Sequence, residues 1–215
     1  MEWVAFAVFS LVMGVFMVFV VIRAVQSASN PFRYGSASGG LMEGRIMYTY
    51  GEFPTRPMDP VQQVLRVLAV QTDTQPAVGL ELAGSGPMFQ SLMPIRLTPE
   101  EAVQVASWLD CAASGAPGGA PEGGWFGYEF LSRLAPVSGY FGTIEMSVRA
   151  RHYKLHIVRA AHPTHPVGVG FRGTVRWASS QIVAALVEPR VAHALAACLR
   201  HAASEATSRR DAVAA

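Results

Sequence analysis

Residues 98–115 read TPEEAVQVASWLDCAASG, and the start of this stretch is one of the clearest local signals for a helix in the chain. Thr98 suits the N-cap, Pro99 suits the first helical position, and Glu101 completes a capping box three residues after the cap. Apolar residues then recur at helical spacing until Gly115, at Ala102, Val105, Ala106, Leu109 and Ala113. The stretch therefore predicts an amphipathic helix that packs one face against a core.

The residues before this helix predict strands. QVLRVLAVQ (63–71) suits a buried strand, residues 73–76 supply a turn, and AVGLEL (77–82) returns. A third apolar run, SLMPIRL (91–97), leads directly into the helix. The first half therefore predicts a β-β-β-α unit.

The second half of the chain follows the same plan. Strands are predicted from TIEMSVRA (143–150) through QIVAALV (181–187), and Glu188-Pro189 then opens a second helix. An offset of 90 residues places turn, last strand and helix of the two halves in phase, so that Pro99 aligns with Pro189. We predict an α+β fold made by tandem duplication of the β-β-β-α unit, with helices packed on an antiparallel sheet.

The N-terminal segment WVAFAVFSLVMGVFMVFVVI (3–22) contains no charged residue. A helix of that length spans about 30 Å, the thickness of the hydrocarbon core of a bilayer. We predict a single-pass transmembrane helix in contact with membrane lipids through residues 3–22. A cleaved signal peptide is the alternative, but the segment before the apolar run is not basic and the run itself is too long.

The orientation of this anchor follows from its flanking cations. Arg23 and Arg33 follow the span and no Lys or Arg precedes it, which predicts a cytoplasmic domain attached to the cell membrane. The two cysteines, Cys111 and Cys198, are then reduced thiols. In the alternative orientation the domain is extracytoplasmic, and the two could form one disulfide.

The predicted organisation divides the chain into six parts. The boundaries are a transmembrane anchor at 1–25, a juxtamembrane linker and lead-in at 26–60, a first α+β repeat at 61–116, a Gly/Pro-rich and aromatic connector at 117–142, a second α+β repeat at 143–205 and a disordered tail at 206–215.

Charge is scarce in this chain and unequally divided. Charged residues make up 15% of the 215 residues, and the formal net charge is +2. Residues 73–145 contain eight acidic and two basic side chains, whereas residues 146–215 contain ten basic and three acidic ones. Opposite charges of this kind favour attraction between the halves of one chain, or head-to-tail between chains. We expect a protein partner or a homo-oligomer, and no nucleic acid.

Motifs for catalysis and cofactor binding are missing from the sequence. It contains no phosphate-binding loop, dinucleotide fingerprint, paired CxxC, HExxH or GxSxG. Cys198 and His201 lie three residues apart on the second predicted helix, but Cys198 lies beside the apolar stripe, where a cysteine usually acts as a small buried side chain. We therefore predict no catalytic residue and no cofactor.

All six histidines lie in the second half of the chain, and four of them are weak candidates for a metal site. His152 and His156 share one face of a predicted strand, and His162 and His165 flank the turn that follows it. Converging neutral imidazoles could bind zinc. The alternative is that these histidines face solvent or the core.

The same strand also predicts an interaction surface. His152, Lys154 and His156 project from one face, with Arg149 and Arg151 adjacent in sequence, while Tyr153, Leu155 and Ile157 face the core. Such a row attracts anionic lipid headgroups or an acidic partner, and protonation of the histidines below about pH 6.5 strengthens the attraction. The leading hypothesis is a membrane-anchored interaction or accessory subunit; the alternative is a membrane-tethered metal-binding protein or hydrolase that uses the histidines of 152–165.

Overall fold

The computed structural model describes residues 44–56, 62–72, 75–85, 92–120, 135–148, 151–175 and 178–214. Within these ranges the chain forms two four-stranded sheets, each followed by one helix. The first half contains β1 (Gly44–Pro54), β2 (Gln62–Thr72), β3 (Pro76–Ser85), β4 (Leu92–Leu97) and α1 (Pro99–Ser114). The second half contains β5 (Val137–Val148), β6 (Arg151–Ala160), β7 (Val167–Val175), β8 (Ala178–Val187) and α2 (Pro189–Ala214).

Both sheets are antiparallel, with the strands paired in chain order, which confirms the predicted α+β class. The three-stranded unit was wrong, because each sheet contains four strands. In the first half the missing strand is β1, which lies within the predicted lead-in 26–60. It is an edge strand with two register shifts, and most of its side chains from Arg45 to Thr49 are exposed, so it has no regular apolar alternation. In the second half β5 begins at Val137, inside the predicted connector 117–142. The predicted anchor at 3–22 and its linker lie outside the described residues.

The first helix begins and ends as predicted. The Thr98 hydroxyl accepts a hydrogen bond from the Glu101 amide at 3.2 Å, and the Glu101 carboxylate accepts one from the Thr98 amide at 2.8 Å. At the other end Gly115 adopts φ 89°, a left-handed conformation that a residue without Cβ enters freely. The capping box and the C-terminal glycine therefore fix the length of α1.

Each helix packs mainly against the sheet of the other half. Helix α1 contacts β5 and β6 more than its own β3 and β4, and α2 contacts β1, β2 and β3. The two helices also pack against each other, and one cluster of buried side chains joins both sheets and both helices. Leu109 of α1 and Leu199 of α2 are both fully buried in it. The two halves therefore share a single core by exchanging their helices.

Ion pairs between the helices join the acidic first half to the basic second half. Asp110 of α1 lies 2.6 Å from His193 Nδ1 and 2.5 Å from Arg200 Nη2, and Glu100 lies 3.4 Å from Arg210. Burial alone would raise the pKa of Asp110, but the hydrogen bonds from His193 and Arg200 hold it below its usual value. The unequal division of charge noted in the sequence is thus used, in part, inside one chain.

The C-terminal residues continue α2 instead of forming the disordered tail predicted for 206–215. Ala206 is buried, and the Glu205 carboxylate accepts a hydrogen bond from the Tyr48 hydroxyl at 2.6 Å. Arg209 pairs with the same carboxylate and lies over the Tyr48 ring. Contacts with β1, which the tail sequence does not reveal, hold these turns of the helix in place.

Two glycines in equivalent strand positions differ in the space around them. A Cβ on Gly142 would lie 2.2 Å from the Trp108 indole, so the strand and helix could not keep their positions. We expect Gly142→Ala to lower the free energy of unfolding by about 1–3 kcal/mol, the usual cost of overpacking. Urea unfolding measures this.

Gly51 provides the matched control. Its Cβ would lie 3.1 Å from the Phe53 ring and 3.5 Å from Cys198 Sγ, contacts that small side-chain shifts relieve. Gly51→Ala should therefore cost clearly less than Gly142→Ala. Equal losses for the two variants would show that Trp108 does not constrain the strand.

Candidate functional site

The predicted cationic row lies on the outer face of β6. Tyr153, Leu155 and Ile157 are buried in the shared core, so the alternating residues point away from it. Of these, His152 is exposed, whereas Lys154 and His156 are half-buried. Arg151 belongs to β6, and Arg149 lies outside the described residues.

Neighbours on β5 bind each outward side chain of this row. Lys154 forms an ion pair with Glu145 in the paired position of β5. His152 Nδ1 lies 2.8 Å from the Ser147 hydroxyl. The Lys154–Glu145 pair reduces the positive charge that the sequence alone attributes to the row.

His156 differs most from its predicted role. Its Nδ1 lies 2.7 Å from the Thr143 hydroxyl, which lies 2.5 Å from the Tyr140 hydroxyl. Burial, followed by the nearby charges of Lys154 and Arg172, lowers the pKa of His156 to about 4. The expectation that His156 gains charge just below pH 6.5 is therefore wrong, because the sheet shields the ring from water.

The four metal candidates do not form one cluster. His162 and His165 contact each other, with ring centroids 5.4 Å apart, and His165 Nε2 lies 3.9 Å from Glu188. The other two candidates, His152 and His156, are bound to β5 instead. Among the described residues, no three His, Cys, Asp or Glu side chains are arranged to hold a metal ion.

Both cysteines are free thiols. Burial raises the pKa of Cys198, which disfavours the thiolate. His201 contacts the Tyr50 ring, with centroids 5.8 Å apart, and lies 3.9 Å from Glu205. These contacts give His201 a packing role beside β1.

Sequence reasoning missed a row of charged residues on the outer face of the first sheet. Glu52, Arg66 and Glu81 lie directly opposite one another across β1, β2 and β3. Glu81 is fully buried, and burial, with a smaller contribution from Glu52, raises its pKa to about 7 despite the opposing charge of Arg66. The sequence did contain a signal, because Glu81 is the one acidic residue inside the apolar strand AVGLEL (77–82). The strand prediction treated it as an ordinary strand residue.

The edge strand β1 presents exposed apolar surface. Met47 and Tyr48 are 50% and 39% exposed, and together with Val103 of α1 they are the large hydrophobic residues exposed in the described part of the chain. Among the described strands, β1 pairs only with β2, so its other edge lies at the margin of the sheet. An edge of this kind is a template for strand addition.

These features define a two-sheet α+β domain with exchanged helices and an exposed edge strand. No protein-family model matches the chain, and no curated protein matches it. Across the described ranges, neither helix is long and apolar enough to cross a bilayer.

Proposed function

We propose that this protein is a non-enzymatic interaction subunit, anchored in the cell membrane by residues 3–22, with its α+β domain in the cytoplasm. The apolar length of the segment supports the anchor, and Arg23 and Arg33 support the orientation. In the sequence the linker precedes β1, which is the first element of the described residues.

The observation that carries this proposal is the surface of β1. Exposed Met47 beside Tyr48 offers apolar contact area, and the outer edge of the strand offers backbone hydrogen bonds. The strand is held from the inner side, because Tyr48 also binds Glu205 on α2. A partner that adds a strand here would meet a supported template.

Site-specific photo-crosslinking in membranes tests this proposal. A photoreactive residue at Met47 should give a discrete adduct with a partner protein or a second copy, identified by mass spectrometry. Gln104, exposed on α1, is the matched control and should give none. Adducts equally frequent at both positions, or absent at Met47, would refute β1 as the interaction site.

We also infer that the two halves arose by tandem duplication of a β-β-β-β-α unit. The register shifts before Tyr48 and Gly51 in β1 recur before Gly139 and Gly142 in β5, 91 residues later. Packing agrees with this, because Gly142 lies against Trp108 and Gly51 lies against Cys198. Trp108 and Cys198 are themselves 90 residues apart. The helix pair Asp110 and Arg200 is also separated by 90 residues.

The outer face of β6 is the second surface that we assign to binding, to anionic lipid headgroups beside the anchor. We expect Lys154→Glu to weaken binding of residues 44–215 to anionic vesicles roughly tenfold, because each cation near such a surface contributes about 1 kcal/mol. The effect should shrink as salt rises. Vesicle co-sedimentation measures it.

His156→Gln is the matched control for this row. Because the ring stays neutral down to about pH 4, replacing it should leave vesicle binding at pH 5.5 unchanged. Weaker binding of His156→Gln at that pH would mean that His156 does carry charge. Unchanged binding of Lys154→Glu would remove this face from the proposal.

The alternative function, a metal-binding protein or hydrolase that uses the histidines of 152–165, has one supporting observation. His165, at the turn after β6, contacts the ring of His162 and lies 3.9 Å from Glu188 at the start of α2. Metal analysis of the purified chain discriminates the two functions: stoichiometric zinc that is lost in His162→Ala would favour the alternative, and metal-free protein would favour the interaction subunit.

A further inference from the structure

Glu81 is a buried carboxyl group whose one ion-pair contact in the described residues is too long for a hydrogen bond. Its side chain has no exposed surface, and neither carboxyl oxygen has a hydrogen-bond partner. The Arg66 guanidinium, at 3.9 Å from Glu81 Oε1, is the cation paired with it in the described residues. Burying an ionised carboxylate in this way is costly, and a neutral carboxylic acid costs much less.

Arg66 is shared between two acids. Its Nε lies 2.7 Å from Glu52 Oε1 on the edge strand, but that contact is an ion pair without hydrogen-bond geometry. Glu52 is largely exposed, whereas Glu81 is not. The guanidinium therefore lies between a solvated carboxylate on β1 and a buried carboxyl on β3.

The second sheet shows that this fold does not require an acid at the buried position. There the row equivalent to Glu52, Arg66 and Glu81 is Thr143, His156 and Gly170. The same architecture is thus built with glycine in place of Glu81. A buried acid that accepts no hydrogen bond and that the fold does not need points to a role other than stability.

We propose that Glu81 is a proton-operated switch that determines whether Arg66 binds the edge strand through Glu52 or turns along the same row toward Glu81 on β3. With Glu81 protonated, Arg66 pairs with Glu52 and ties β1 to β2. With Glu81 ionised, the guanidinium is drawn to the buried carboxylate and releases Glu52. The tie between β1 and the sheet then weakens.

Within the described part of the chain, the charged groups around Glu81 are few, and they agree with this assignment. Glu52 on β1 and Arg66 on β2 occupy its row, and the paired residue on β4 is Pro94, which carries no charge. Arg96 of β4 pairs with Gly79, one outward position along β3. Glu52 raises the pKa of Glu81 and Arg66 lowers it, while burial is the largest influence.

The consequence falls on the strand that we assign to partner binding. In that respect the inference rests on the proposed function, because a looser β1 would exchange partners or strands more readily. The switch itself can be measured without a partner. Its failure and the failure of the crosslinking experiment are therefore separate results.

Hydrogen exchange of the full-length chain in detergent micelles at pH 6 and pH 8.5 tests the switch. Protection factors of β1 amides are divided by those of β5, the equivalent edge strand of the second sheet, which corrects for global stability. We expect the ratio to fall about two- to fivefold at the higher pH, the range that an exposed ion pair commonly supplies. Glu81→Gln should keep the ratio high at both pH values.

Glu52→Gln gives the opposite locked state. It should hold the ratio at the low value at both pH values, since Arg66 has no partner on β1 to release. A wild-type ratio that does not change with pH would overturn the proposal. So would a change that persists in Glu81→Gln.

Discussion

Leu109→Ala should lower the free energy of unfolding by about 2–5 kcal/mol, the range for removing a buried leucine side chain from a core. Leu109 has no exposed surface, and its helix packs against α2 and against the sheet of the other half. Truncation therefore leaves a cavity where the two halves meet. Urea unfolding monitored by circular dichroism measures the loss.

Two further variants test whether this loss of stability comes from the core that the two halves share. Val103 lies on the same helix and is 47% exposed, so Val103→Ala should change stability by no more than about 0.5 kcal/mol. Leu199→Ala, at the equivalent place on α2, should cost as much as Leu109→Ala. A small effect at Leu109 with a large one at Leu199 would contradict a core shared equally by the halves.

Glu81→Gln should stabilise the protein by about 3 kcal/mol above pH 7.5 and have little effect near pH 4.5. The folded chain holds a proton on Glu81 up to about pH 7, whereas the unfolded chain releases it near pH 4.5. Wild-type stability therefore falls as the pH rises through this window, and glutamine removes the penalty. Unfolding at a series of pH values measures the difference.

The pKa of His156 is shifted in the opposite direction to that of Glu81. Protonation of His156 therefore lowers stability, whereas protonation of Glu81 raises it. The folded pKa of His156, about 4, lies below the usual 6.5, so stability is lost as the pH falls from 6.5 to 4. In Glu81→Gln the stability lost on acidification should be larger than in the wild type, because no gain from protonation of Glu81 offsets it. Glu145→Gln, on an exposed acid of the second sheet, is the control. A pH profile of Glu81→Gln parallel to the wild type would contradict a raised pKa for Glu81.

The helices and the buried strands were predicted because their signals depend on residues that are close to one another in the sequence. Thr98, Pro99 and Glu101 specify a helix start whatever surrounds them. Strand β1 was not predicted because its exposed residues and register shifts give no apolar period. The ordered end of α2 was missed for the same reason, because it depends on contacts with β1. Helix exchange is invisible in sequence, since an apolar stripe is the same whichever sheet covers it.

The charges of the candidate site were predicted less well. The charge of a side chain depends on its burial and its ion pairs, which the sequence does not show. Lys154 and His156 lie on the outer face as the alternation predicted, but Glu145 pairs with one and the sheet shields the other. Glu81 looked like an ordinary polar residue in a strand. Only the register of β1, β2 and β3 brings it opposite Arg66.

Separate expression of the two halves tests the shared core most directly. The structure predicts that residues 44–120 alone form no monomeric fold, because α1 leaves its main packing surface in the other half. Their ¹H–¹⁵N NMR spectrum should be poorly dispersed, and an equimolar amount of residues 135–215 should restore dispersed signals. A well-dispersed spectrum from a monomer of residues 44–120 alone would contradict helix exchange.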